Sequence, residues 1–341
     1  MDSIRNILLR AALLIFLGTS VAWADTGDKV SVMTRNMDAG TDFGFFIANL
    51  ATDPALGVQL TLQELAKNNF PGRASLLAKE IADAKPDLVG LQEATIWTVP
   101  NPSGGVVVVD QLALLLQALA DAQQPYVVVA VNTLTNLSFP LGGGAAASFT
   151  DRDVIIRRAG SPIAVSNVQA HLYQTQLTLT PQITVLRGWL SADASVGQDK
   201  FRFVTTHLES SGGLYGNPQV DLIQAAQAQE LGQTLLNSPI PVVIAGDFNS
   251  NATHTPPEQT QAVDIVKSWG FDDTWSDLRH GNPGFTWPLF LEDPLRAHKK
   301  GPFERIDFVF ERGMYATSVY RTGLKAPYGS DHAGVVATFG F

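Results

Sequence analysis

Cysteine is absent from the 341 residues. That excludes disulfides, thiolate nucleophiles, cysteine-rich zinc sites and the lipid-bearing cysteine of a bacterial lipoprotein. Charge is also scarce: Asp, Glu, Lys and Arg make up 16% of the chain, and 23 basic against 32 acidic residues give a formal net charge of -9. So acidic a chain is poorly suited to tight, nonspecific nucleic-acid binding, which depends on neutralising phosphates with Lys and Arg. A polynucleotide held transiently as a substrate is not excluded. No uninterrupted apolar run reaches the ~20 residues that a membrane span requires. The nearest is Ala11 to Gly18, preceded by Arg5 and Arg10 and followed by the small-x-small sequence Ala22-Trp23-Ala24. This pattern reads as a signal peptide over residues 1–24, so a secreted or periplasmic protein beginning at Asp25, without a transmembrane span, is expected. Fixed-period repeats and long linkers are missing too. Residues 25–341 therefore read as one domain, and a monomer is expected.

What the chain does have is 45% hydrophobic content, arranged in short runs that end in polar residues. The clearest is Val242-Val243-Ile244-Ala245-Gly246-Asp247-Phe248-Asn249-Ser250. A short β-branched run fits a strand covered on both faces, and Gly246 lets the backbone turn at its tip. In an extended chain Asp247 and Asn249 point to the same side and offer acceptors and amide donors together, which suits a phosphate beside a hard cation. An Asx turn closing the strand explains the same residues equally well.

Other runs repeat the pattern. Lys29 to Met37 alternates as a strand ending at Asn36, and Asp87 to Ala94 is a short strand tipped by Glu93. Between them Ala74, Leu77, Ala78, Ile81 and Ala82 form a helical stripe closed by Lys85-Pro86, so the second strand should return by a crossover to the same sheet. A loop is expected after Glu93 and a helix over 110–122. Strands are expected over 126–131 and 151–158, with a mobile loop at the glycine- and alanine-rich stretch 141–147. Residues 183–190 and 201–206 should form a hairpin around a long loop, leading into His207. A helix over 219–237 returns the chain to Val242, another is expected near 260–269, and Asp307 and Asp331-His332 accompany the last two strands.

Asn36, Glu93, His207, Asp247 with Asn249, Asp307, and Asp331 with His332 thus all stand at strand ends. A carboxylate there is usually a solvated cap and a lone histidine is usually structural. Six such positions together suggest polar groups delivered to one crevice at a sheet edge. Glu93 and Asp331 suit a magnesium-like ion, and His207 and His332 can change charge near neutral pH. His171, His254, His280 and His298 sit in no comparable setting and read as surface residues.

With Leu91-Gln92-Glu93, Thr206-His207-Leu208, Gly246-Asp247-Phe248-Asn249, Arg305-Ile306-Asp307 and Ser330-Asp331-His332 in that order, the chain resembles the endonuclease/exonuclease/phosphatase superfamily from Arg35-Asn36 onward. The resemblance implies a deoxyribonuclease-I-like α/β fold, a four-layer α/β/β/α sandwich with two sheets face to face between helices. It also implies metal-dependent, in-line attack of water on a phosphoester, with Mg2+ as the expected cofactor and Mn2+ or Ca2+ as alternatives. Carried over by position, Glu93 is the metal-binding glutamate, with Asn36 and Asp331 completing or steadying the coordination. Asp307 supports His332, Asp247 and Asn249 orient the water or bind the phosphate, and His207 contacts the phosphate or protonates the leaving oxygen. The base is Asp247 or His332. Nuclease-like members pair the first histidine with a further acidic residue, which this sequence does not locate.

The substrate stays open at this level, because fold likeness does not set it. A secreted nuclease is the leading reading, with Arg152, Arg157, Arg296, Lys299, Lys300 and Arg305 as candidate polynucleotide contacts. A phospholipase C-type sphingomyelinase acting on a phospholipid head group needs an exposed apolar wedge, for which Phe285 to Phe290 is the candidate if it lies on the surface rather than in the core. A sugar or inositol phosphatase, and an inactive binding module, are the remaining alternatives.

Overall fold

The computed structural model describes residues 29–41, 43–101, 103–252, 261–290 and 301–341. The expected signal peptide, His254, and the patch of Arg296, His298, Lys299 and Lys300 lie outside the described residues. The first part of the chain runs β1 (Lys29–Asn36), α1 (Gly44–Asn49), α2 (Pro54–Leu65), α3 (Phe70–Ala84), β2 (Leu88–Gln92), β3 (Ile96–Pro100), β4 (Val106–Asp110), α4 (Gln111–Asp121), β5 (Tyr126–Gly142) and β6 (Ala145–Arg158). It continues as β7 (Ala164–Leu172), β8 (Leu177–Thr180), β9 (Ile183–Val185), β10 (Gly188–Val196), β11 (Asp199–His207), α5 (Gly212–Tyr215), α6 (Gln219–Leu235) and β12 (Val242–Asp247). Last come α7 (Ala262–Ser268), β13 (Asp272–Asp273), α8 (Thr274–Leu278), β14 (Asp307–Arg312), β15 (Tyr315–Thr322) and β16 (Gly334–Gly340).

Two large mixed sheets result. One has the order β15-β16-β1-β2-β6-β3-β4, with β5 also paired to β6, and the other runs β13-β14-β12-β11-β10-β7. Alternation along each strand sorts the side chains into layers. Val30 and Val32 of β1 meet Phe203, Val243 and Val309 between the sheets, whereas Met33 turns outward with Val89 and Ile156 against Leu77, Ile81 and Leu115 of α3 and α4. On the far side Val204, Ile244 and Phe310 pack under Leu231 of α6 and Val266 of α7. Helix, sheet, sheet, helix is therefore the layer order. The strands nearest the middle carry apolar residues on both faces because both faces are covered.

Local signals match these elements. Asn69 caps α3 by accepting from the Gly72 amide, and Lys85, in a left-handed conformation before Pro86, ends it. The α3 crossover places β2 parallel to β1, and α6 places β12 parallel to β11. Three expectations are corrected. Residues 141–147 form no loose loop: β5 and β6 make one long hairpin that turns at Gly143 and Gly144, and the small Ala147 is fully buried against Phe139. The long loop expected over 191–200 is mostly strand, because alternation continues through Ala192, Ala194 and Val196 to a turn at Gly197. The loop after Glu93 is largely a β3–β4 hairpin, its Pro100 at a strand end and its glycines in the turn. Among the described residues no helix is long and apolar enough to cross a membrane.

Candidate active site

Topology brings the polar strand ends together. Asn36 closes β1, Glu93 follows β2, His207 closes β11 and Asp247 closes β12. β14 and β16 run antiparallel to these strands, so Asp307 at the start of β14, and Asp331 and His332 just before β16, reach the same end of the sandwich.

Asn36 is the hinge of the cluster. Its Nδ2 donates to Glu93 Oε1 and to Asp247 Oδ2, both at 3.0 Å, while its Oδ1 accepts from the Asp38 amide at 2.9 Å. It steadies two carboxylates and leaves its own oxygen engaged. Glu93 Oε2 accepts from the Ala39 amide at 2.6 Å. Burial, and then the like charge of Asp331, push Glu93 up to about 8. Asp331 Oδ2 accepts from Trp287 Nε1 at 2.8 Å. Glu93 and Asp331, two carboxylates close enough for one to disfavour the ionisation of Glu93, fit a hard cation such as Mg2+. Asp247, Asp307 and His332 also bring one ligand atom each within 4.8 Å of one another.

His332 Nδ1 donates to Asp307 Oδ2 at 2.9 Å, with Asp247 Oδ2 at 3.8 Å and Asp331 Oδ1 3.9 Å from Nε2. Burial alone would favour the neutral ring. Asp307, Asp331 and Asp247 outweigh it and hold His332 well above the usual histidine range. Burial and Asp307 raise Asp247 to about 6. His207 goes the other way: burial, then Arg187, then His332 hold it well below its ordinary value. No carboxylate among the described residues hydrogen-bonds it, the nearest being Asp247 Oδ2 at 3.7 Å and Glu93 Oε1 at 4.0 Å. The group against the ring is instead Arg187, whose Nη1 lies 2.9 Å from Nδ1 and 3.2 Å from Nε2.

Of the two sequence readings of Asp247 and Asn249, the strand-closing turn is the one that the geometry shows. The Asn249 amide donates to Asp247 Oδ1 at 2.9 Å, an Asx turn, with Asn249 at φ 48° rather than extended. That turn swings the Asn249 side chain to 3.0 Å from His207 Nε2. Glu93 is also left-handed, at φ 56°, a conformation costing on the order of 1 kcal/mol for a residue with a Cβ.

Arg152 does not join the cluster. Its Nε donates to the Ala94 carbonyl at 2.7 Å and its Nη2 pairs with Asp110 at 2.6 Å, so it braces the loop after Glu93 instead of facing a substrate. Arg305 is buried in a two-pronged pair with Asp273 at 2.9 and 2.8 Å, and Arg157 donates to the Ile163 carbonyl. The Phe285 to Phe290 stretch forms no exposed wedge: Thr286, Pro288 and Leu289 are buried, Phe285, Trp287 and Phe290 are half-buried, and Trp287 turns its indole N–H to Asp331. Bulky apolar residues in a row gained more by packing than by exposure.

Sequence reading missed the residues that hold the loop of His332. Buried Arg35 donates to the His332 carbonyl at 2.6 Å and pairs with Glu80 at 3.1 Å. Arg73 donates to the carbonyls of Gly329 and Met37, each at 2.8 Å. A charged residue inside an otherwise apolar pattern, as at Arg35, was the available signal.

The model of the Endonuclease/Exonuclease/phosphatase family matches residues 49–332. No curated protein matches. Among solved structures, an endonuclease/exonuclease/phosphatase from Beutenbergia cavernae aligns with a TM-score of 0.60 at 21% identity, covering 92% of this chain and 72% of that one. A family protein from Leptotrichia buccalis gives 0.59 at 14% identity, covering 92% and 100%. TDP2 of D. rerio, complexed with a single-strand DNA product, gives 0.53 at 19% identity, covering 92% and 100%. These likenesses speak for the fold, and the family match spans most of the sequence: the chain belongs to the endonuclease/exonuclease/phosphatase family.

Proposed function

We propose that the protein is a Mg2+-dependent phosphodiesterase that hydrolyses its substrate by in-line attack of an activated water, with a polynucleotide as the leading substrate and export as its destination. The observation that carries this reading is the double bridge of Asn36 to Glu93 and Asp247, which joins ends of both sheets at one point. The family is one of phosphoester hydrolases in which divalent-metal dependence is typical. Glu93 and Asp331, steadied by Asn36 and Trp287, would hold the ion, which supplies Lewis-acid stabilisation of phosphate charge when bound.

The chain's own groups divide the remaining work. His332, with Nδ1–H committed to Asp307, has no lone pair to offer as a protonated ring, so it offsets charge on a phosphate oxygen. Asp247 keeps an acceptor oxygen and ionises above about 6, so it orients the water and takes its proton. Neutral His207 and Asn249 act as phosphate contacts. The structure of D. rerio TDP2 with a single-strand DNA product supports a nucleic-acid substrate by analogy. The charged-then-apolar N-terminal stretch supports export.

One observation favours a phospholipid head group instead. Arg152, Arg157 and Arg305 are spent on internal contacts. The β3–β4 hairpin that leaves Glu93 exposes Val106, Val107 and Val108, and neither 94–109 nor 122–150 contains a charged residue. A panel of plasmid DNA, RNA, sphingomyelin and sugar phosphates, each with Mg2+ and with chelator, separates the readings. Chelator-sensitive cleavage of DNA or RNA supports the first, and cleavage of sphingomyelin alone supports the second. No turnover of any phosphoester would overturn both.

A further inference from the structure

We propose that the paired turns of the β3–β4 and β5–β6 hairpins dock the protein on a neutral, zwitterionic lipid surface. β3 lies between β4 and β6, with Pro100 opposite Val106 and Thr98 opposite Ser148, so the two turns stand at the same end of the sheet. One side of the hairpins is already used: Trp97, Phe139, Ala147 and Phe149 are buried with Phe46 of α1 and Val58 of α2. Val106, Val107 and Val108 lie outside that core, 60%, 47% and 58% exposed. Successive side chains of a strand point to opposite faces, so β4, the last strand of its sheet, is uncovered on both. Leu141 is 40% exposed at the neighbouring turn, between exposed Pro140 and the glycines. Edge strands in water are commonly blunted with charge or proline; this one presents a run of valines.

Charge selects the occupant. No charged residue occurs in 94–109 or 122–150, in a chain of net charge -9. A polynucleotide would require basic side chains at the contact, and an anionic membrane would repel so acidic a chain. A second copy is a poor match in size, because four partly exposed aliphatic side chains offer less than the roughly 800 Å² per partner that a stable dimer buries. A zwitterionic lipid surface asks for no opposite charge and takes up small apolar projections at its interface. The hairpins are also fastened to the site. The Ala94 amide donates to the Arg152 carbonyl at 3.0 Å, and Arg152 pairs with Asp110 of β4 at 2.6 Å, so lipid held at the turns has a set position relative to Glu93. The docking stands whichever phosphoester is cleaved.

Co-sedimentation with vesicles of phosphatidylcholine and sphingomyelin, in chelator so that no turnover occurs, tests this. The native protein is expected to pellet with the vesicles equally at low and high salt, and no more tightly with vesicles enriched in phosphatidylserine. Val107→Asp combined with Leu141→Asp should weaken the partition at least about tenfold, because each charge must stay hydrated. Leu222→Asp, at an exposed site on α6, should leave it unchanged. No pelleting of the native protein, loss of binding in high salt, preference for the anionic vesicles, or full binding by the double variant overturns the proposal. Should the double variant misfold, Leu141→Asp alone decides. Self-association without lipid, abolished by the same substitutions, would give the surface to a second copy and overturn the lipid assignment. Vesicle binding by a protein that cleaves DNA or RNA alone leaves the docking standing and removes the phospholipid alternative.

Discussion

Asp307 and His332 act as a unit because burial leaves each without water as an alternative partner. Removing the imidazole takes away the partner of a buried carboxylate and, on the proposed mechanism, the charge offered to the phosphate. We expect His332→Ala and Asp247→Ala each to lower Mg2+-dependent phosphodiester turnover by at least ~100-fold, while far-UV circular dichroism stays native. Native-like turnover in either variant would show that the assignment is wrong. Glu93 offers a test that needs no substrate. Its pKa is raised to about 8 in the metal-free protein, so at pH 7 it is mostly protonated and must lose that proton to bind a cation. Apparent Mg2+ affinity should then rise with pH, by about tenfold per unit below 8, and level off above it. Calorimetric titrations in buffers of differing ionisation enthalpy should report the released proton at pH 7, and Glu93→Gln should remove it.

At the scale of elements, the site is precise because the two sheets are locked together directly beneath it. Thr34 Oγ1 donates to Gln92 Oε1 at 3.1 Å, Gln92 Nε2 to Thr205 Oγ1 at 2.8 Å, and Thr205 Oγ1 to the Ala245 carbonyl at 2.7 Å. This buried chain crosses from one sheet to the other. Gly90 of β2 permits the approach, since an added Cβ would lie 2.7 Å from Thr205 Cβ and 3.1 Å from the Ala245 carbonyl. Gly90→Ala is expected to destabilise the fold by about 1–3 kcal/mol through overpacking, seen as a lower denaturant midpoint. Activity should fall with it, because the sheets carry different halves of the site. A neutral effect would mean that the sheets are less tightly apposed than described. Glu93 and Asp247 stood out in the sequence because each ends an apolar run, and Asp331 and His332 because they lead into one. Arg187 and Arg73 were not, since an arginine before a strand or on a helix looks the same whether its guanidinium turns inward or out. Arg152 and Arg305 were misread for the same reason.

For the whole molecule, the cluster draws on β1, β2, β11, β12, β14 and β16, so ligation there should stabilise both sheets together. Mg2+ is expected to raise Tm in a saturable way, by an amount corresponding to about 2.7 kcal/mol at 100 times Kd. Glu93→Gln should abolish the shift, and an equal shift in that variant would place the ion elsewhere.

The sequence by itself determined the first strand, the α3 crossover into β2 and the strand ends that carry polar residues, because hydrophobic periodicity and capping act over a few residues. It also identified the family, since five short motifs in a fixed order rarely coincide. Only the tertiary structure decided which way each polar side chain turns. It drew Arg152 and Arg305 into internal pairs, closed the Val242–Asp247 strand with a turn that carries Asn249 to His207, and set Arg187 against His207. The reason is physical: the charge a buried group carries depends on partners far away in the chain, and only packing brings them within hydrogen-bond reach.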